Sequence, residues 1–312
     1  MIPAWPSFSL AEPWRNLLMP ESDSQFRNKG QGRDVMIDGN TQLIAHIGYP
    51  TASFKAPMIY NPYFKSIGLN AAVVPMGVKA EDFTTSLEAI FRFSNVHGAL
   101  ITMPHKITIL GLVQELSVAA QIAGACNAVR RRDDGKLIGD MFDGEGFVRG
   151  VLRRGRILKG ARVLVVGSGG VGSAIAASLA GHGVAELALY DLNTGAMQAL
   201  AARLSQHHPH LIVHTGSHDP VGFDVVVNAT PMGMEPGDPM PVDVSRLSAR
   251  TYVGEVVMKQ EMTAFLAAAQ ARGCQVQLGI DMLFEQIPAY LEFFGFPTTT
   301  PENLRSLAQI SY

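Results

Sequence analysis

The run Gly167-Ser168-Gly169-Gly170-Val171-Gly172 lies between a short apolar segment, Arg162 to Val166, and an alanine-rich one, Ser173 to Ala180. Glycine at these spacings lets a strand turn tightly into a helix, lets backbone N–H groups approach a pyrophosphate, and lets helix and strand pack closely. Asp191 follows the next apolar run, Glu186 to Tyr190. A carboxylate there accepts hydrogen bonds from an adenosine ribose and repels a 2′-phosphate. Leu192, Asn193, Thr194 and Gly195 offer no cation to hold such a phosphate. The reading is a dinucleotide site for NAD rather than NADP; the alternative is a glycine-rich turn that only packs.

Three polar residues upstream supply the rest of the chemistry. Lys106 lies in Thr102-Met103-Pro104-His105-Lys106, Asn127 in Gly124-Ala125-Cys126-Asn127, and Asp143 in Asp140-Met141-Phe142-Asp143-Gly144. Hydride loss from a secondary alcohol needs a group to take the hydroxyl proton, and a lysine oriented by a carboxylate can do so. The carboxylate holds the proton on the amine and burial expels it, so spacing alone does not decide the balance. Singly, each residue also has an ordinary role: a surface helix lysine, a turn asparagine, an aspartate capping a helix that starts at Gly144.

The elements that must position these groups are short. The dinucleotide turn begins past the midpoint of a 312-residue chain, so two domains are expected. With Pro3, Pro6, Pro13 and Pro20 and no sustained period, residues 1–35 read as an N-terminal arm. From Gln42 strands are expected at Gln42 to Ile47, Asn70 to Val74 and Gly98 to Thr102, and helices at Pro57 to Ser66, Ala80 to Phe93 and from Pro104. The βα alternation predicts an α/β fold with a mainly parallel sheet in this front part as well as in the Rossmann part. A hairpin is expected around Asp133-Asp134-Gly135, then a helix from Gly144 to Arg154 as the hinge. Beyond Asp191 the pattern predicts a helix to about Ser205 and strands near Leu211, Asp224 to Asn228 and Tyr252 to Val257. A helix at Met262 to Arg272 and a strand at Gln275 to Leu278 follow, then helices from Gly279 returning to the front domain. The division is 1–143 plus 279–312 for the substrate domain and 144–278 for the NAD-binding domain.

Composition narrows the class. A net charge of −2 and 17% charged residues provide no basic surface for nucleic acid and no polybasic membrane patch. No apolar stretch reaches membrane-spanning length and no leader pattern opens the chain, so a cytoplasmic protein is expected, with monomer and homodimer both open. The two cysteines, Cys126 and Cys274, fit no metal or redox spacing. His207, His208, His210, His214 and His218 lack companion ligands at metal-binding spacing, so no metal is expected.

Taken together, these segments resemble the shikimate dehydrogenase family. The matching motifs run in order: Thr102 to Lys106, Gly124 to Asn127, Ile138 to Phe147, the dinucleotide turn, Asn228-Ala229-Thr230-Pro231-Met232-Gly233-Met234, and Gly279 to Gln286. The resemblance implies Lys106 as acid/base with Asp143 as its partner, and Thr102, Asn127 and Gln286 as contacts to substrate hydroxyls. It places Thr230, Met232, Val256, Gly279 and Met282 along the cofactor. It also implies interconversion of a shikimate- or quinate-like cyclic hydroxy acid and its 3-dehydro ketone, and a setting in aromatic amino acid biosynthesis.

Departures from the pattern gather at the substrate end, with one, Glu255, near the cofactor. Phe54 and Ala56 occupy the positions of two serines that hold the substrate carboxylate in the family. Leu100, Ala128 and Met258 stand where asparagine, threonine and tyrosine are common, and Glu255 stands for an aspartate. Two lost hydrogen bonds to a charged group amount to roughly 1.5–3 kcal/mol each, so a changed substrate is expected, quinate-like or less acidic. The competing readings are a dehydrogenase for an amino-modified analogue and a non-catalytic NAD-binding regulatory protein. Retention of Lys106 and Asp143 favours catalysis.

Overall fold

The computed structural model describes residues 37–235, 237–260 and 262–310; the expected N-terminal arm lies outside them. The front half runs β1 (Gln42–Gly48), α1 (Pro57–Ser66), β2 (Ala71–Gly77), α2 (Phe83–Ile90), β3 (Val96–Ile101), β4 (Glu115–Leu116), α3 (Val118–Ala123), β5 (Ala128–Arg131), β6 (Leu137–Asp140) and α4 (Asp143–Arg153). Its sheet has the order β2-β1-β3-β5-β6-β4. Strands β1, β2 and β3 are parallel, β5 runs antiparallel between β3 and β6, and β4 pairs parallel with β6. The last five residues of β1 are all buried, as befits a central strand covered on both faces.

The remainder runs β7 (Arg162–Val166), α5 (Gly170–Gly181), β8 (Glu186–Tyr190), α6 (Thr194–His207), β9 (Ile212–Thr215), β10 (Val225–Asn228), β11 (Tyr252–Glu255), α7 (Ala264–Ala271), β12 (Gln275–Gln277), α8 (Gly279–Phe294) and α9 (Pro301–Leu307). Its six strands are all parallel in the order β12-β11-β10-β7-β8-β9, a doubly wound sheet whose strand order reverses between β7 and β10. Ligands in such sheets lie outside the strand carboxyl ends at that reversal, which is where Gly167 and Ala229 sit.

One expected helix is absent. No α-helix begins at Pro104; residues 104–107 form turns that lead into a 3-10 turn at Thr108–Gly111. The Lys106 carbonyl accepts from Cys126 N–H at 2.8 Å, so it is committed to the strand side rather than to a helical partner. The anticipated helix from Ala80 is shorter, a 3-10 turn at Ala80–Asp82 followed by α2. Asp143 occupies the first turn of α4, but Phe142 is the cap residue and no side chain caps the helix.

Helix α8 returns to the front half. Phe284, Ile287, Leu291 and Phe294 join Ile44, Tyr60 and Phe64 in one buried cluster. Asp281, near its start, accepts from Arg154 of α4 at 2.6 Å and from Arg305 of α9 at 2.7 Å. Helix α4 packs Phe147, Val148 and Val151 into the same cluster as Ile175, Leu179 and the strands of the second sheet. Among the described residues no helix is long and apolar enough to cross a membrane.

Candidate active site

The carboxyl ends of β1 and β3 are tied together by backbone bonds. Thr102 N–H donates to Ile47 at 2.9 Å, Ile101 N–H donates to Asn127 at 2.9 Å, and Asn127 N–H donates to Asp140 at 3.0 Å. Residues distant in sequence are thereby fixed at one point. There Lys106 Nζ donates to Asp143 Oδ2 at 2.7 Å, with the aspartate side chain 9% and the lysine side chain 24% exposed. Asn127 Nδ2 donates to Asp143 Oδ1 at 2.9 Å, and Asn127 Oδ1 accepts from Phe142 N–H at 2.9 Å. Both carboxylate oxygens of Asp143 therefore have donors, and one faces the amine.

This pair opens onto a cavity of about 380 Å3. Thr102, Gln286, Phe54 and Ala56, all expected at the substrate, line it together with Met258 and Leu100. Gln286 Oε1 is buried without a hydrogen-bond partner and so has capacity for a ligand hydroxyl. Asn127 is not among the lining residues: it is 1% exposed and sits behind Asp143 with both ends of its amide engaged. Ala128 is likewise buried in the core.

His46 also lines this cavity, a residue that sequence reasoning missed. Its ring stacks on Phe54 with centroids 4.0 Å apart. Burial, with the positive charge of Lys106 adding to it, lowers its pKa to about 4, so the imidazole is neutral. A signal was present: Ile44 is buried, and in a strand His46 points to the same face.

The second cavity, of about 260 Å3, lies at the strand-order reversal. Gly167, Gly169, Asp191, Leu192, Thr230 and Met232 line it, with Tyr190 and Pro231. Gly167 has φ +107°, and a Cβ at Gly172 would fall 2.0 Å from the Gly167 carbonyl. A Cβ at Gly169 or Gly170 would meet nothing within 4 Å, leaving the backbone open to a ligand. Ser168 Oγ is buried with no partner. Open backbone at a helix N-terminus beside an unpaired hydroxyl fits a pyrophosphate. Asp191 accepts from Ser168 N–H at 2.6 Å and Asn193 N–H at 2.7 Å, which holds its carboxylate at the rim. Other expected cofactor residues do not line this cavity. Met282 packs in the core, Val171 and Val256 are partly buried against it, and a Cβ at Gly279 would lie 2.0 Å from Val257 O, so that glycine serves a close backbone approach.

Residues 46–129 match the shikimate dehydrogenase substrate binding domain. A shikimate dehydrogenase (NADP(+)) of Rubrobacter xylanophilus is 34% identical over 254 residues, which cover 80% of this chain and 89% of the relative. The chain belongs to the shikimate dehydrogenase family. Among solved family structures, shikimate 5-dehydrogenase from Listeria monocytogenes, in complex with shikimate and NAD, superposes with a TM-score of 0.80 at 25% identity, covering 90% of this chain and 99% of that one. The ligand-free 5-ketofructose reductase of Gluconobacter sp. strain CHM43 gives a TM-score of 0.79 at 26% identity, covering 86% and 98%. This shikimate dehydrogenase family member thus shares its two-sheet α/β fold with proteins named for different substrates. Among its described residues no cluster of three or more His, Cys, Asp or Glu is placed to hold a metal ion.

Proposed function

We propose that this chain is a nicotinamide-dinucleotide-dependent dehydrogenase that interconverts a ring alcohol of a shikimate- or quinate-like polyol and the corresponding ketone. The observation that carries the reading is the Lys106–Asp143 pair at 2.7 Å on the wall of the cavity, with Asn127 behind it. A nicotinamide dinucleotide in that site would supply or accept the hydride. In reduction the Lys106 ammonium would give its proton to the ketone oxygen; in oxidation Lys106, having released its proton to solvent, would take the hydroxyl proton as the neutral amine. Asp143 holds the amine toward the reacting oxygen, and Thr102 and Gln286 orient neighbouring hydroxyls. Gly167, Gly169 and Gly170 with Ser168 would hold the pyrophosphate, Gly172 lets the turn close on Gly167, and Asp191 would hold the adenosine ribose.

The cofactor reading is NAD. Asp191 is a fixed negative charge at the ribose end, and Leu192, 78% exposed beside it, offers no counter-charge. The proposed division is a substrate domain of residues 1–143 and 279–312 and a cofactor domain of 144–278, with α4 between them.

A second reading keeps the catalysis and replaces the acid with an uncharged substrate. The mostly apolar surround of Phe54, Ala56, Leu100, Ile59 and Ile287 favours it, as does the likeness to a 5-ketofructose reductase, whose named substrate has no carboxylate. The test is absorbance at 340 nm with NAD and NADP against quinate, shikimate and carboxylate-free polyols, for the parent and Lys106→Ala. Turnover that prefers NAD and is lost in Lys106→Ala is expected. Dinucleotide binding without turnover of any probe would make the chain a binding protein instead.

A further inference from the structure

His46 is chemically conspicuous. It occupies a position in β1 whose strand neighbour on the same face, Ile44, is core, and its register partner in β3 is Leu100. A polar ring placed there without partners is destabilising, because buried donors and acceptors are normally satisfied. Its Nδ1 is buried and has no partner. Among the described residues neither ring nitrogen makes a hydrogen bond, while the ring itself lines the cavity. Stacking on Phe54 fixes its plane. An orphaned buried N–H is rarer than an orphaned acceptor, so the proton belongs on Nε2 and Nδ1 keeps the lone pair.

The neighbourhood sets the charge of what binds. Lys106 is paired to Asp143, which leaves that end of the cavity without net charge. Burial and the Lys106 charge oppose protonation of the imidazole. Phe54, Ala56, Ile59 and Leu100 would exclude water from an anion without solvating it.

We propose that His46 is a substrate-recognition residue, its Nε2–H donating to an uncharged hydroxyl or carbonyl oxygen of the substrate away from the reacting carbon. The site then selects a neutral polyol or hydroxyketone over its carboxylate counterpart. This rests on the reading of the cavity as the substrate site. Ser53 and Lys55 also line it, and a carboxylate held by Lys55 is the contrary outcome.

The test compares shikimate with its carboxamide, which keeps the ring and hydroxyls and removes the charge, in the parent, His46→Val and His46→Gln. Steady-state kinetics is paired with calorimetric binding in the presence of cofactor. The parent is expected to favour the carboxamide by about tenfold or more in kcat/KM and in affinity. His46→Val should weaken carboxamide binding about 2- to 13-fold, as loss of one neutral hydrogen bond implies. The loss should fall on KM rather than kcat, and His46→Gln, which restores a donor, should recover most of it. Preference for the acid, no difference between parent and His46→Val, or no binding of either probe overturns the proposal. Binding that depends on His46 with no turnover would instead overturn the dehydrogenase reading and leave the recognition role standing.

Discussion

Replacing Gly144 with alanine tests how the reacting pair is held. An ideal Cβ on Gly144 would fall 1.9 Å from the Ala174 carbonyl oxygen, 2.4 Å from its carbon and 2.7 Å from Ser178 Oγ. The first two atoms are backbone of α5 and cannot rotate away. Reaching an ordinary contact of about 3.4 Å requires α4 and α5 to part by roughly 1.5 Å. That movement would loosen Phe147 and Val148 from Ile175 and Leu179 across the same seam. Overpacking typically destabilises by about 1–3 kcal/mol, and a clash with backbone atoms belongs at or above the upper end. At about 2–4 °C per kcal/mol, the melting temperature should fall by roughly 5–10 °C. Asp143 is the adjoining residue, so a shift of this size should also reduce turnover by about a hundredfold. The control is Gly181→Ala at the far end of α5, where a Cβ would meet nothing within 4 Å; alanine there should be neutral or stabilise by about 0.5–1 kcal/mol. Thermal melts followed by circular dichroism compare the three proteins. A Gly144→Ala melt within about 2 °C of the parent would refute the argument that this glycine exists for helix contact.

Two other outcomes follow from buried polar groups. Asn127→Ala removes the acceptor of the Phe142 N–H and a donor to Asp143; a loss of about 1–3 kcal/mol in stability is expected, with a fall in kcat. A rise in KM at unchanged kcat would instead make Asn127 a direct substrate contact. Glu255 is fully buried, neither of its oxygens has a hydrogen-bond partner, and burial raises its pKa to about 7 against the pull of nearby Thr263 and Asn228. Below its unfolded value of 4.5 the group is protonated in both states; above it only the unfolded chain ionises freely, so stability falls as pH rises toward 7. Glu255→Gln should therefore gain on the parent progressively between pH 5 and 8, by at most about 3 kcal/mol. A difference in melting temperature that stays constant over that range would remove Glu255 as its source.

Where local chemistry decides structure, the sequence was legible. Pro57 suits the first turn of α1, and the observed helix matches the expected Pro57 to Ser66. The glycine run fixed the junction of β7 and α5, and β8 matches its apolar run from Glu186 to Tyr190. Helix α3 was missed because six residues are too short to show a period, although both its stops are visible. Ser117 caps its start by accepting from Ala120 N–H, and Gly124 ends it at φ +65°. The segment after Pro104 misled because the fate of the Lys106 carbonyl depends on Cys126, a partner that local pattern does not reveal. The same limit applies to the site. Lys106, Asp143, Thr102 and Gln286 could be named from motifs, but that Asn127 faces Asp143 rather than the cavity is a tertiary fact. His46 sat unremarked in a strand that reads correctly as a strand.

The proposed function separates the residues assigned to chemistry from those assigned to recognition. Lys106, Asn127 and Asp143 are fixed through the backbone: Cys126 N–H holds the Lys106 carbonyl, Asp140 receives the Asn127 N–H, and Phe142 N–H donates to the Asn127 side chain. None of these bonds involves the loop between β1 and α1. That loop supplies Tyr49, Ser53, Phe54, Lys55 and Ala56 to the cavity. None of those side chains takes part in the 2.7 Å contact between amine and carboxylate. Gly48 marks the boundary, since a Cβ there would lie 2.4 Å from Thr102 Cγ2 and 2.9 Å from Phe54 Cζ, pressing both the fixed part and the variable one. A chain that keeps Lys106, Asn127 and Asp143 while replacing hydroxyls with Phe54 and Ala56 is what such a division permits. On the proposed reading, the proton-transfer geometry is set by the sheet, and the identity of the substrate by what the loop and His46 leave room to bind.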